Sequence, residues 1–360
     1  MKILSTLFCL LISFSSFAST KKEQCQNQLR KLGYFQYKNQ YAKNFHIFYN
    51  GQNIFWELEG QWYSRGPNVP SDVCAGVINI KKSNRIILMS STLLEVFREL
   101  NLTKNIVGVG EKKFIFNSRD KLESATDLGH TPNPETIISL RPDLFIGYYS
   151  PVLGAFYEKV KKLGVPVVFI NDYQQQHPLG RAEQRVILGA FLGQFQHAKD
   201  LFLKIVNNYQ KYKNLVQNKR NILLGSLAPS GAWKRINPHS DFFQVVRDAG
   251  GVDVFSSTSF LNVSAEKVLS EVKNIEHWLP QVAYASIDDL KKESNFLNIL
   301  VNSSDFDIST YGKRINQNGG SEFWDVAMMR PDLLLFDLIQ VFNTSVSADP
   351  KLARWYKVLR

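Results

Sequence analysis

Asn133-Pro134-Glu135-Thr136-Ile137-Ile138-Ser139-Leu140-Arg141-Pro142-Asp143-Leu144-Phe145-Ile146-Gly147 sets a helix directly before a strand. Asn is a favoured capping residue, and Pro suits a first helical turn. Pro142 ends the helix, because its ring disfavours the helical conformation at Arg141. Leu144 to Gly147 is short and apolar throughout, as in a strand covered on both faces. The same alternation runs outward in both directions. Ile86-Ile87-Leu88-Met89 reads as a buried strand, and Ser90-Ser91-Thr92 caps a helix to about Leu100. A strand over 106–109, a helix over 152–163 and a strand over 165–170 follow. Residues 85–179 are thus expected to form a mostly parallel sheet with helices on both faces.

The stretch 180–218 keeps apolar residues at three-and-four spacing throughout and predicts one long helix. At 1.5 Å per residue it would span roughly 50 Å or more, enough to connect two lobes. Beyond it the alternation restarts with Ile222-Leu223-Leu224-Gly225 and a helix over 241–249. Further helical runs cover 287–292 and 323–342, the last interrupted at Arg330-Pro331-Asp332. A second α/β lobe is therefore expected over 219–360. Residues 19–84 read as a β-rich extension, with a hairpin turning at Asn50-Gly51. The expected class is α/β: two lobes of mostly parallel sheet with flanking helices, joined by one long interlobe helix, plus a β-rich N-terminal extension.

The chain has 360 residues and a formal net charge of +11, with 44% hydrophobic and 12% aromatic residues, enough for large cores. No run of five like charges occurs, which excludes a charged-tail protein. No apolar stretch of about 18 residues follows the first twenty, so the body is not a membrane bundle. Lys2, an apolar run to Phe17 and Ser16-Phe17-Ala18 form a secretory signal peptide, with cleavage expected after Ala18 and a periplasmic destination. Cleavage removes Cys9 and leaves Cys25 and Cys74, which read as one disulfide; two free thiols are the alternative. A GxxxxGK[ST] loop and a GxSxG elbow are both absent. The basic residues are dispersed, so nucleic acid is not an expected partner.

Two helix starts match. Asn133-Pro134-Glu135 and Ser264-Ala265-Glu266 each place a carboxylate two positions after a capping residue. Helix chemistry alone explains this, since first-turn acids favour the dipole. The alternative is a pair of exposed carboxylates, one per lobe, offered to a basic partner.

Between about Arg85 and Asn343 the chain resembles the periplasmic solute-binding proteins of ABC importers that carry ferric siderophores, haem and cobalamin. The resemblance rests on Arg85-Ile86-Ile87-Leu88-Met89-Ser90-Ser91-Thr92, the 133–144 stretch, Leu163-Gly164-Val165-Pro166-Val167-Val168, the 242–255 stretch, Val263-Ser264-Ala265-Glu266 and the 323–333 stretch. It departs where relatives often carry His-Pro-Glu-Leu and this chain has Asn343-Thr344-Ser345-Val346. The resemblance implies two lobes on a rigid helix. It also implies that Glu135 and Glu266 dock to arginines of a dimeric permease, with a monomeric receptor as the partner.

Ligands of open α/β sheets sit at the carboxyl ends of strands. Candidates there are Ser91, His130, Tyr148, Tyr149, Trp233, Lys234, Arg235, Tyr311, Lys313 and Arg314, and Trp324 joins them from the start of a helix in the second half. Aromatic rings would face a large chelate, and the cations would neutralise acidic groups on it. Direct ligation of metal or haem by His130 or His239 stays open, but no His pair has ligand spacing, and neither a protein-held metal nor a cofactor is expected. The expected role is a receptor, not an enzyme, for an iron chelate, with cobalamin or haem as alternatives. A periplasmic enzyme on a related two-lobed fold is the alternative of another class.

Overall fold

The computed structural model describes residues 21–70, 72–116, 122–303, 305–342 and 353–359. The segment expected to be a signal peptide, residues 1–18, and Asn343-Thr344-Ser345-Val346 lie outside the described residues. Among the described residues, no helix is long and apolar enough to cross a membrane.

Residues 21–31 form helix α1. Strands β1 (Phe35–Tyr37), β2 (Phe45–Asn50), β3 (Asn53–Leu58) and β4 (Gln61–Arg65) then pair antiparallel in sequence order, and β5 (Ile78–Asn79) joins β4 in parallel. The β2–β3 register pairs Asn50 with Asn53, so Gly51-Gln52 makes the turn, one residue later than expected. Glu59-Gly60 closes β3–β4 with φ of 49° and 92°, the positive values that let a two-residue turn follow the strand twist. Cys25 on α1 is bonded to Cys74 in the loop before β5, with Cα atoms 4.9 Å apart.

The first lobe runs β6 (Ile86–Leu88), α2 (Leu94–Glu99), β7 (Ile106–Val109), β8 (Thr126–Asp127), α3 (Pro134–Leu140), β9 (Leu144–Gly147), α4 (Gly154–Lys162) and β10 (Val167–Phe169). Its strands lie in the order β10-β9-β6-β7-β8, all parallel. The order reverses between β6 and β9, whose carboxyl ends carry Ser90-Ser91-Thr92 and Tyr148-Tyr149.

The 180–218 stretch is not a single rod. It divides into α5 (Pro178–Leu192) and α6 (Phe195–Lys213). Gly193 takes φ 72°, and Gln194 N–H donates back to Gly189 O at 2.7 Å, a left-handed stop that turns the chain. A Cβ on Gly189 would collide with that of Ala198, so the two helices touch just past the turn. The connecting helix is therefore α5, every residue of which is buried. Apolar spacing continued through the break because α6 also buries one face, through Phe195, Ala198, Phe202, Ile205 and Tyr209.

The second lobe contains β11 (Arg220–Leu224), β12 (Ser226–Leu227), β13 (Trp233–Lys234), α7 (Asp241–Asp248), β14 (Gly251–Asp253), β15 (Asn262–Val263), α8 (Ala265–Ser270), β16 (His277–Leu279), α9 (Ile287–Glu293), α10 (Asn295–Asn302), β17 (Asp307–Thr310), α11 (Pro331–Phe342) and β18 (Lys357–Val358). The main sheet has the order β14-β11-β16-β17-β18, parallel except for β18, and reverses between β11 and β16. Strands β12, β13 and β15 form a small antiparallel sheet beside it.

The extension shares the main core. Trp56 and Tyr63 meet Phe191 of α5 edge-on, each at 4.9 Å, and Tyr37 meets Phe195 of α6 at 6.1 Å. Glu183 of α5 is fully buried. Its carboxylate accepts from Tyr37 O–H and from the N–H groups of Gln40, Tyr41 and Ala42 at 2.7–2.9 Å. Four donors offset the desolvation of that charge and fix the extension to the connecting helix.

Candidate ligand cleft

At the reversal point of the second sheet a cavity of about 290 Å³ opens beyond β16. Leu279, Pro280 and Gln281 line its strand end, Phe242 and Asp241 come from α7, and Tyr311 follows β17. Phe323 and Trp324 stand on a π-wound turn, Phe323–Ala327, which precedes the Pro331 start of α11. Tyr311 stacks on Phe323 at 4.7 Å, and Trp324 meets both rings edge-on at 5.8 and 5.0 Å. The Tyr311 hydroxyl donates to Gln281 O at 3.0 Å, which fixes the ring. Burial raises its pKa. Trp324 keeps 47% of its surface exposed, so a broad apolar face stays available.

Arg181 of α5 lines the same cavity and ties the lobes. Its guanidinium donates to Asp172 after β10 at 2.8 Å and to Asp241 at the start of α7 at 2.9 Å. Thr92 donates to Asp172 as well. A second tie is Asp325, held by Phe116 N–H at 2.8 Å and by the Ser91 hydroxyl. Ser91 therefore sits where the lobes meet, half-buried and engaged across the cleft.

The first lobe contributes an aromatic rim. Tyr149 is 57% exposed, and Tyr173, which sequence reasoning missed, is 50% exposed. Tyr148 is half-buried, and desolvation, with Glu111 and Tyr173 nearby, raises its hydroxyl pKa. His130 is exposed at the same end, with Nδ1 3.5 Å from Glu111. His239 lines a different cavity, of about 510 Å³, beside α7. Among the described residues no group of three or more His, Cys, Asp or Glu is placed to hold a metal ion.

Two expected ligand contacts are corrected. Trp233 is fully buried; its indole N–H donates to Leu224 O at 3.1 Å and its ring packs on Trp278. Arg235 is also buried, paired with Asp253 at 2.6 Å and donating to the carbonyls of Phe255, Thr258 and Phe260. It fixes the 253–260 loop and lines the cavity beside α7, apart from the cleft at Tyr311 and Trp324. The reason is topological: β13 is the middle strand of the small sheet, which turns Trp233 into the core while leaving Lys234 exposed. Arg314 donates to Glu322 at 3.0 Å and lies over the Phe116 ring, and Lys313 reaches Ala353 O.

Glu135 and Glu266 stand exposed in the first turns of α3 and α8, one per lobe. Asn133 accepts from Glu135 N–H at 2.9 Å, and Ser264 accepts from Lys267 N–H at 3.2 Å. Hydrogen bonds from its own backbone and from Ser264 lower the Glu266 pKa, so the carboxylate is charged at neutral pH.

A family model described as "periplasmic binding protein" matches residues 86–293, beginning just after the extension. A possible iron-binding (periplasmic solute-binding) protein from Staphylococcus epidermidis superposes with a TM-score of 0.57 at 20% identity, covering 73% of this chain and 100% of that one. The periplasmic heme-binding protein RhuT from Roseiflexus sp. RS-1, in apo form, gives 0.56 at 17% identity, covering 74% and 100%. HutB of Vibrio cholerae, a periplasmic heme-binding protein, gives 0.54 at 15% identity, covering 71% and 98%. A curated relative, an uncharacterized lipoprotein of Methanocaldococcus jannaschii, is 21% identical over 344 residues, 84% of this chain and 81% of its own. At these identities the solved structures establish the two-lobed fold.

Proposed function

The chain belongs to the periplasmic binding protein family, and from that premise we propose that it captures an iron chelate of the ferric siderophore type and delivers it to an inner-membrane ABC permease. The carrying observation is the Tyr311–Phe323–Trp324 cluster at the mouth of the cavity. Three rings held in fixed relation offer flat contact area at little entropic cost. The cavity of about 290 Å³ takes one side of a chelate, and the Tyr148–Tyr149 and Tyr173 rim takes the other. Because Arg235 and Arg314 are paired internally, the chelate presents a largely neutral outer surface; Lys234 is an exposed cation near the cleft. A haem or cobalamin macrocycle is the second reading, favoured by the stacked Tyr311–Phe323 pair.

The receptor works as a monomer in the periplasm after its signal peptide is removed. Glu135 and Glu266 form a two-point gauge for one arginine cluster on each permease subunit. Exposed ion pairs contribute about 0–1 kcal/mol each, so this contact orients more than it tightens.

Tryptophan fluorescence titration with ferrichrome, haemin and cyanocobalamin, with mass spectrometry of ligand retained on purification, tests the reading. Saturable binding of one probe is expected, and Trp324→Ala weakens it about tenfold. A retained sugar or amino acid, or turnover of any probe, overturns it. Glu135→Arg with Glu266→Arg abolishes uptake while affinity stays within about twofold; uptake that persists refutes the docking role.

A further inference from the structure

Glu59 occupies a costly backbone position. It is the first turn residue of the β3–β4 hairpin, with φ 49°. A left-handed conformation is unfavourable for a side-chain-bearing residue, and Gly, Asn or Asp would occupy it more readily. The hairpin itself is anchored: Glu57 is buried, accepts from Gly60 N–H and pairs with Lys22 at 2.8 Å. This leaves the Glu59 carboxylate projecting from a fixed tip.

That carboxylate meets Asn171, which follows β10 and is 2% exposed. Asn171 Nδ2 donates to the two Glu59 oxygens at 3.2 and 3.3 Å. Asn171 Oδ1 accepts from Tyr149 N–H at 2.7 Å. The Tyr173 hydroxyl donates to Tyr149 O at 3.3 Å. A carboxylate can only accept, so Glu59 selects which end of the amide faces it and turns the oxygen toward Tyr149. Without Glu59 the buried Asn171 NH2 loses its acceptor, and the Tyr149 N–H alone is left to hold the amide.

We infer that the β3–β4 hairpin tip of the extension is a specificity element of the cleft, with Glu59 positioning the Tyr149 and Tyr173 rim through Asn171. This rests on reading the cleft between the lobes as the ligand site. The extension lies outside the matched family region.

The test combines a ligand-free and a ligand-bound measurement on the mature full-length protein. Hydrogen exchange is followed in peptides covering 148–150 and 170–174 in wild type, Glu59→Ala, Glu59→Gln and Asn171→Ala. Affinity is measured for ferrichrome, haemin and cyanocobalamin. In Glu59→Ala, exchange rises in both peptides but not in β6 or β9, and affinity for the bound probe falls about fivefold, the scale of one net hydrogen bond. Glu59→Gln keeps an acceptor and restores both readouts; Asn171→Ala reproduces the loss, and its combination with Glu59→Ala adds nothing further. Unchanged exchange in Glu59→Ala overturns the coupling whatever the ligand. Raised exchange with affinity unchanged overturns the specificity role and leaves the cleft reading standing. Failure of wild type to bind any probe overturns both.

Discussion

His277 should make the protein acid-sensitive in a way one substitution abolishes. It lies on β16, the middle strand of the second lobe's main sheet, fully buried against Phe342 at 5.5 Å. Among the described residues neither ring nitrogen has a hydrogen-bond partner. Burial pushes its pKa from 6.5 down to about 3, with Asp307 opposing the shift and Arg220 adding a smaller part of it. The unfolded chain protonates this ring below about pH 6.5, whereas the native state does not until about pH 3. The stabilisation is therefore present above pH 6.5 and lost as the pH falls toward 3, at about 1.4 kcal/mol per unit. Between pH 7 and pH 5 the loss is about 2 kcal/mol. Urea denaturation at both pH values, on wild type and His277→Leu, isolates the contribution of His277 together with the Asp307 that faces it, since groups not coupled to the ring cancel in the comparison. The Leu variant should be at least as stable at pH 7, because it removes two unpartnered buried nitrogens. It should gain about 2 kcal/mol on wild type by pH 5. A wild-type-to-variant difference that stays constant within about 0.5 kcal/mol would refute the reasoning.

Arg181→Met leaves Asp172 and Asp241 without their shared cation. It should cost about 3 kcal/mol in urea denaturation, with Arg181→Lys intermediate. Cys25→Ala with Cys74→Ala opens a bridge of sequence separation 49, which should lower stability by up to about 4 kcal/mol. Wild type in reductant should fall to the same denaturation midpoint. Gly193→Ala forces a side chain into φ 72° with its Cβ 2.9 Å from the Arg65 guanidinium. A loss of about 1–2 kcal/mol is expected by thermal denaturation, whereas Gly231→Ala, whose Cβ meets nothing within 4 Å, should lose less.

The alternation from Arg85 onward was legible because each strand is short, apolar and bounded by a capping or breaking residue. The rule that ligands gather at strand ends points to Tyr311, which lines the cavity, and it names Tyr173 equally well because Asn171-Asp172 follows a strand. It failed at Trp233 and Arg235. Both follow the second lobe's first strand, but a two-residue strand carries too little periodicity to say which face is inward. The α5–α6 turn was hidden because Gly193 was its only stop signal and the apolar spacing ran on across it. Arg181, Asp172 and Asp241 were out of reach for another reason. They are joined by pairings across 9 and 60 residues, and nothing local marks them.

The Glu183 anchor bears on how the chain can fold as it is made. Tyr37 and Glu183 are separated by 146 positions, and the aromatic contacts from β3 and β4 to Phe191 span similar lengths. A chain synthesised from its N-terminus presents the first sheet well before the helices that cover it. During that interval Trp56, Tyr63 and Tyr37 have no partner face, and an unfinished sheet with open edges is prone to associate with its neighbours. Non-local closure of this kind is also slow, because the loop must be ordered before any contact rewards it. The early Cys25–Cys74 link lies wholly within the segment that emerges first, so oxidation can restrain that sheet while it waits for residue 183.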